Sequence, residues 1–227
     1  MAVTPVLFTL NERLSAWQAG RRARDFDALP GDETPVIIAG FGRFGQIVGR
    51  ILRGKGIAFT ALEISAEQVD FVRQYGSKVY YGDASRLDLL HAAKADAADI
   101  FVLAIDDVEA SVRTAEVVRR HFPHLKIFAR VRNRQHAYRL MELGIAVVWR
   151  ETYLSSLDMA RQVLQALGLP DYAAAQAAET FRRHDEELLY GMFGQHNDAK
   201  RMQAVAKKAA KELEELFAAD AREDTSR

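Results

Sequence analysis

A chain of 227 residues and 25.5 kDa, with 49% hydrophobic and 27% charged residues, carries enough apolar material for one ordinary domain plus an appendage. Its 31 basic and 31 acidic residues cancel, which speaks against a general nucleic-acid binder, and the lack of cysteine excludes a disulfide scaffold, a thiolate metal site and a Cys nucleophile. No apolar run approaches the ~18–20 residues that cross a bilayer, and the start lacks the basic region and small-residue cleavage site of a signal peptide, so the chain as given reads as soluble and cytoplasmic.

Residues 1–20 open with Val6, Leu7, Phe8 and Leu10 and run into a polar, amphipathic stretch. They read equally as a core strand or as the end of a hydrophobic element lying mostly outside this chain. Residues 21–35, charged and with two prolines and a glycine, read as a linker. Six short β-branched or aromatic runs follow: Val36–Gly40, Ala58–Ile64, Lys78–Tyr81, Ile100–Ile105, Lys126–Val131 and Ile145–Trp149. Most are almost continuously apolar, as in strands covered on both faces. Segments with helical spacing separate them, among them Ile47, Ile51 and Leu52, then Val69 and Val72, then Val112, Ala115, Val118 and Phe122. This alternation predicts an α/β fold over residues 36–149: a doubly wound, Rossmann-type parallel sheet of six strands.

From residue 150 to 217 no further strand is expected. Leu154, Leu157, Ala160, Val163, Leu164 and Leu167 form a helical stripe that Gly168-Leu169-Pro170 stops. An alanine-rich helix from Tyr172 to about Tyr190 follows, then a break at Gly191 and Gly194. The last helix carries Met202, Val205, Ala209, Leu213, Leu216 and Phe217 on one face. Amphipathic helices after a complete sheet need a surface to pack on, and a second copy of the chain supplies one. Residues 218–227 read as a frayed terminus.

Gly40-Phe41-Gly42-Arg43-Phe44-Gly45 fits G-x-G-x-x-G, directly after the first strand and at the start of a helix. Gly40 suits a tight turn, Gly42 lets a pyrophosphate approach the backbone, and Gly45 lets the helix sit close to the strand, while the helix N-terminus favours phosphate. Glu63 ends the second strand 18 residues after Gly45, where a carboxylate accepts from ribose hydroxyls and repels a 2′-phosphate. NAD(H) or an adenine mononucleotide such as AMP is therefore expected rather than NADP. Gly82-Asp83-Ala84-Ser85 and Asp106-Asp107 follow the third and fourth strands, so Asp83, Ala84, Ser85 and Asp106 are expected to line the same ligand. The competing reading is a glycine turn that only packs, with Glu63 a solvated strand end and Asp83 and Asp107 helix N-caps.

Hydride transfer needs a proton relay and a second substrate-holding domain, and no such constellation is legible. His91, His121, His124, His136, His184 and His196 lack metal-ligand spacing, so no metal is expected. The nucleotide reads as a regulator or structural ligand, and the protein as no enzyme. The alternative is a soluble NAD-dependent oxidoreductase or NAD(H) sensor whose tail only dimerises.

Val36-Ile-Ile-Ala-Gly-Phe-Gly-Arg-Phe-Gly-Gln46, Tyr81-Gly-Asp-Ala-Ser-Arg86, Ala104-Ile-Asp-Asp107, His121-Phe-Pro-His-Leu125 and Arg150-Glu-Thr152 resemble the cytosolic KTN/RCK (TrkA-N-like) domain of Kef-type glutathione-gated potassium/proton antiporters, over roughly residues 35–185. Thr4 to Leu14 resembles the cytoplasmic end of that family's last membrane helix. The resemblance implies a regulatory domain at the cytoplasmic face of the inner membrane, joined to a membrane transport domain of the same protein. It also implies AMP or NAD(H) at the glycine turn, a homodimer with the helix after the sixth strand crossing to the partner, and an ancillary oxidoreductase subunit as a further partner. Glutathione or its adducts would act between subunits, with Arg150, Tyr75 and Arg50 at family positions for ligand contact, adduct sensing and gating. The family's Phe-Arg-Arg-Phe-Asn reads Phe181-Arg182-Arg183-His184-Asp185 here. An aspartate in place of the amide donor repels a glutathione carboxylate, so weak binding or none is expected. Arg150 reads alternatively as a partner of Glu151 or as a helix-start contact.

Overall fold

The computed structural model describes residues 26–29, 32–76, 78–194 and 199–225; the lead-in at 1–20 lies outside them. The chain forms two compact units, Met1–Ala98 and Asp99–Arg227.

In the first unit every residue of β1 (Val36–Ala39) is buried, as its unbroken apolar run requires. Parallel β2 (Phe59–Glu63) pairs with it from Val36↔Phe59 to Ala39↔Leu62. Strand β3 (Tyr80–Tyr81) pairs with β2 at Leu62↔Tyr80 and Glu63↔Tyr81, and is shorter than the expected run from Lys78. Helices α1 (Arg43–Gly54), α2 (Ala66–Gln74) and α3 (Leu87–Ala92) complete the unit. The apolar stripe of α1 is only partly covered: Ile47 and Ile51 are 59% and 63% exposed and Leu52 is half-buried, while Gly45 and Gly49 are buried. A Cβ on Gly49 would come within 2.8 Å of the Phe41 ring and 3.0 Å of Phe59, so close packing selects the small face of this helix.

The second unit carries parallel strands β4 (Ile100–Leu103), β5 (Lys126–Val131) and β6 (Val147–Arg150), with registers Ile100↔Lys126 and Val131↔Arg150. Between them run α4 (Val108–His121), capped by Asp107, and α5 (Arg134–Glu142), capped by Asn133. The sixth strand starts later than the sequence suggests because Ile145 belongs to the end of α5. Gly144 takes a left-handed φ of 74°, and the Ile145 N–H donates to Leu140 O at 3.1 Å, closing the helix. The strand order β3-β2-β1-β4-β5-β6 is that of a doubly wound, Rossmann-like sheet.

The tail comprises α6 (Tyr153–Ala166), α7 (Asp171–Gly191) and α8 (Ala199–Thr225). Residues 218–225 continue α8 rather than standing outside it as a frayed end, in keeping with the helix propensity of Ala218 and Ala219. Gly191 likewise ends α7 instead of breaking the chain before it. Helices α6 and α7 meet through Tyr153 and Phe181, with ring centroids 6.5 Å apart. His184 Nε2 lies 3.1 Å from Ala209 O, linking α7 to α8. Helix α6 contains no buried residue.

Candidate functional site

In the first unit the three glycines of the motif answer to different demands. Gly40 leaves β1 with φ +88°, a conformation that L side chains rarely adopt. A Cβ on Gly45 would fall 2.2 Å from Gly40 O, so a side chain there would part helix from strand. Gly42 has φ −73° and nothing within 4 Å of a Cβ position. Neither backbone nor packing calls for glycine at 42, and the space beside it is open.

Gly42 is also the N-cap of α1, and it offers no side-chain cap; the first turn holds no acidic residue and begins with exposed Arg43. By contrast, Ser65 caps α2 and Glu67 sits in its first turn. An uncapped helix start beside an arginine favours an anion. Phe41 belongs to the core rather than to a ligand surface, its ring 6.0 Å from that of Phe59. Phe44 is half-buried.

Glu63 is not a solvated strand end. Its Oε2 accepts the Phe41 N–H at 2.7 Å and its Oε1 accepts the Ser65 N–H at 3.0 Å, so the carboxylate braces the glycine turn. Each oxygen retains a further lone pair for a ribose hydroxyl. Beyond β3, Asp83 Oδ1 accepts the Ser85 N–H at 2.9 Å and Asp83 O accepts the Arg86 N–H at 3.0 Å, with Ala84 buried. Asp83 thus shapes a turn; the N-cap of α3 is Arg86.

In the second unit Asp106 is committed to arginines. Buried Arg130 donates to its Oδ1 at 2.5 Å and Arg132 to its Oδ2 at 3.3 Å. Arg130 also donates to Ala104 O at 3.1 Å and to Glu151. A charge inside the apolar run of β5 was the signal that could have revealed this residue. Arg150 donates to Asp185 rather than to Glu151, and Arg134 donates to the other Asp185 oxygen. The Arg150 guanidinium lies 3.6 Å from the Tyr153 ring centroid. Burial alone would raise the Asp185 pKa, but the hydrogen bonds and charges of Arg150 and Arg134 outweigh it and hold the carboxyl below its ordinary value. Burial, assisted by the Asp185 charge, pushes Tyr153 up to about 12. A cavity of about 460 Å³ opens beside this cluster, floored by Leu157, Leu164, Phe181 and Phe217.

Arg134 and Tyr153 carry no motif and escape a reading of the sequence. Arg50 and Tyr75 belong to the first unit, both exposed, with the Tyr75 ring 5.1 Å from that of Phe71 and tilted against it. Among the described residues no cluster of His, Asp and Glu could hold a metal, and no helix is long and apolar enough to cross a membrane.

Residues 36–151 match the TrkA-N domain, and residues 155–227 match the potassium efflux system KefB C-terminal domain. The glutathione-regulated potassium-efflux system protein KefC of Salmonella arizonae is 39% identical over 220 residues; the match covers 97% of this chain and 35% of that protein. The C-terminal domain of Shewanella denitrificans Kef, solved in an AMP-bound form, superposes with a TM-score of 0.65 at 40% identity over 70% of this chain and 98% of its own. The GsuK channel bound to NAD shares the fold, with a TM-score of 0.53 at 21% identity over 70% of this chain and 29% of that one.

Proposed function

The chain belongs to the TrkA-N family, and from that membership we propose that it is the nucleotide-binding regulatory part of a Kef-type potassium efflux protein, controlled by AMP or NAD(H) at the Gly40–Gly45 turn. The observation that carries the reading is the open space at Gly42, a glycine that the protein's own packing does not require, set at an uncapped helix start. The phosphates would lie there, against the N-terminus of α1 and Arg43. Glu63 would take the ribose hydroxyls, with Asp83, Ala84 and Ser85 beside the adenosine. An AMP-bound relative at 40% identity supports this choice of ligand. Asp106 has a smaller part than its strand-end position suggests, because its carboxylate neutralises Arg130 and Arg132.

The nucleotide acts as a signal and not as a reactant, and the output is the gate of a membrane transport domain in the same protein. The functional unit is a homodimer: a helix such as α6, amphipathic yet with nothing buried, gains stability by packing on a second copy. Arg150 and Asp185 form the second regulatory site, with Tyr75 and Arg50 as further family positions and an ancillary oxidoreductase as a further partner. Asp185 already supplies the anion that a glutathione carboxylate would offer to Arg150 and Arg134, so glutathione must displace a tethered competitor. Calorimetric titration of AMP and NADH into the wild-type chain and Gly42→Val tests the central claim. Binding in the wild type and its loss in the variant are expected; equal affinity in both would overturn the assignment.

A further inference from the structure

The segment Phe26–Leu29, part of the region that reads as a linker, grips the edge of the sheet in the first unit. The Asp27 N–H donates to Tyr81 O at 3.0 Å, and Asp27 Oδ2 accepts the Tyr81 N–H at 2.6 Å. One residue thereby satisfies both outward peptide groups of Tyr81, the last residue of the two-residue edge strand. Arg73 Nη2 donates to the same Asp27 oxygen at 2.6 Å, and Arg73 is itself held to Val79 O through Nε at 3.0 Å and Nη2 at 2.7 Å. Phe26 extends the grip. A Cβ on Gly82 would lie 2.9 Å from Phe26 Cβ, and the Arg86 guanidinium sits 5.1 Å from the Phe26 ring centroid.

The strap therefore touches both ends of a turn, Gly82 and Arg86, whose middle is Asp83-Ala84-Ser85. The same turn is tied inward, because the Gly82 N–H donates to Glu63 O at 2.9 Å while the Glu63 carboxylate accepts the Phe41 N–H. A continuous run of bonds thus leads from Asp27 through Tyr81, Gly82 and Glu63 to the glycine turn.

We infer that Phe26 and Asp27 are positioning residues for the nucleotide: the strap holds the Asp83–Ser85 turn in its ligand-ready place, and strap docking and nucleotide binding strengthen each other. The inference rests on the nucleotide reading above. Linkage requires reciprocity, so whatever the strap adds to nucleotide affinity the nucleotide returns to strap docking. This gives the segment preceding the domain a way to register occupancy of the site.

The test uses the whole chain with AMP as the probe. Calorimetry on the wild type, Asp27→Ala, Asp27→Asn and Phe26→Ala is paired with hydrogen exchange at the Tyr81 amide with and without AMP. Asp27→Ala and Phe26→Ala are expected to weaken AMP by about 5–10-fold, and Asp27→Asn, which keeps an acceptor for the Tyr81 N–H, by less. AMP should slow Tyr81 exchange in the wild type and lose that effect in Asp27→Ala, a readout that a general loss of stability does not mimic. If Asp27→Ala fails to fold, Asp27→Asn and Phe26→Leu carry the comparison. Wild-type AMP affinity in the strap variants, together with AMP-independent Tyr81 exchange, would overturn the inference while leaving the nucleotide site standing. Failure of AMP to bind the wild type would instead overturn the nucleotide reading itself.

Discussion

Glu63 Oε2 accepts the backbone N–H of Phe41 at 2.7 Å, so the acid at the end of β2 holds the glycine turn. A buried peptide N–H left without an acceptor costs about 1–3 kcal/mol. The residue thus has a structural part beside the ribose-binding part proposed for it, and substitutions can separate them.

Glu63→Ala removes both parts and is expected to weaken AMP by about 1–3 kcal/mol, with a lower melting temperature. Glu63→Gln retains an acceptor for the Phe41 N–H, gives up the one for the exposed Ser65 N–H, and drops the charge that repels a 2′-phosphate. Its melting temperature should fall less than that of Glu63→Ala while its preference for NADH over NADPH narrows. Competition titrations of the two dinucleotides check this, and an unchanged preference would remove Glu63 from the ribose site.

The glycines of the motif should separate binding from folding. Gly42→Val leaves the fold intact, because nothing lies within 4 Å of a Cβ there, and blocks the nucleotide. Gly45→Ala places a carbon 2.2 Å from Gly40 O and should destabilise the chain by about 1–3 kcal/mol. Denaturant melts alongside AMP titrations of each variant give the comparison; a severe stability loss in Gly42→Val would contradict the open space.

Asp185→Asn should strengthen glutathione binding and weaken the fold at once. The substitution frees Arg150 and Arg134 from their shared anion, which raises the local positive charge and costs about 1–3 kcal/mol of stability. Glutathione titration of both forms at fixed ionic strength is the measurement. Tight wild-type binding that the variant loses would mean that Asp185 grips the ligand's ammonium group.

Acid should destabilise the second unit through His136. Its Nδ1 accepts the Arg132 N–H at 3.4 Å and its Nε2 lies 3.2 Å from Ser111 Oγ. Burial first, then the charges of Arg139 and Arg130, lower its pKa from 6.5 to about 4. The folded-state value lies below the unfolded one, so the contribution is complete above pH 6.5 and is lost as pH falls from there through about 4. The loss is on the order of 3 kcal/mol. Urea midpoints between pH 7.5 and 4.5 should fall in the wild type and flatten in His136→Gln; parallel profiles would exclude His136 as the cause.

Assembly should depend on the outer face of α6, where Leu154, Met159, Val163 and the capping Leu167 are all more than half exposed. Light scattering at micromolar concentration should give about twice the 25.5 kDa chain mass. The double variant Met159→Glu with Val163→Glu should return the single-chain value. A wild type of single-chain mass would remove the homodimer from the proposal.

Much of this protein is legible in its residues taken in order. Continuous apolar runs specify buried parallel strands, as in β1, where all four residues of Val36–Ala39 are buried. The glycine turn after β1 is equally local, because a left-handed φ at Gly40 and a small residue at Gly45 are demands of the adjacent backbone. Periodicity located α1 but not the residues it buries: spacing marks Ile47, Ile51 and Leu52 as a stripe, whereas the Phe41 and Phe59 rings leave room only for a glycine at 49 and the Gly40 backbone only for one at 45. Charge pairing was less legible still. Asp185 meets Arg134 and Arg150, 51 and 35 positions away, and Asp27 meets Tyr81 across 54. A charged side chain looks the same in sequence whether solvent, a ligand or another residue neutralises it, because that depends on which distant elements the fold brings within hydrogen-bond reach. Composition and spacing therefore determined the sheet and the glycine turn, while the tertiary structure alone decided that Glu63 braces the turn, that Asp106 belongs to Arg130, and that Arg150 already holds an anion.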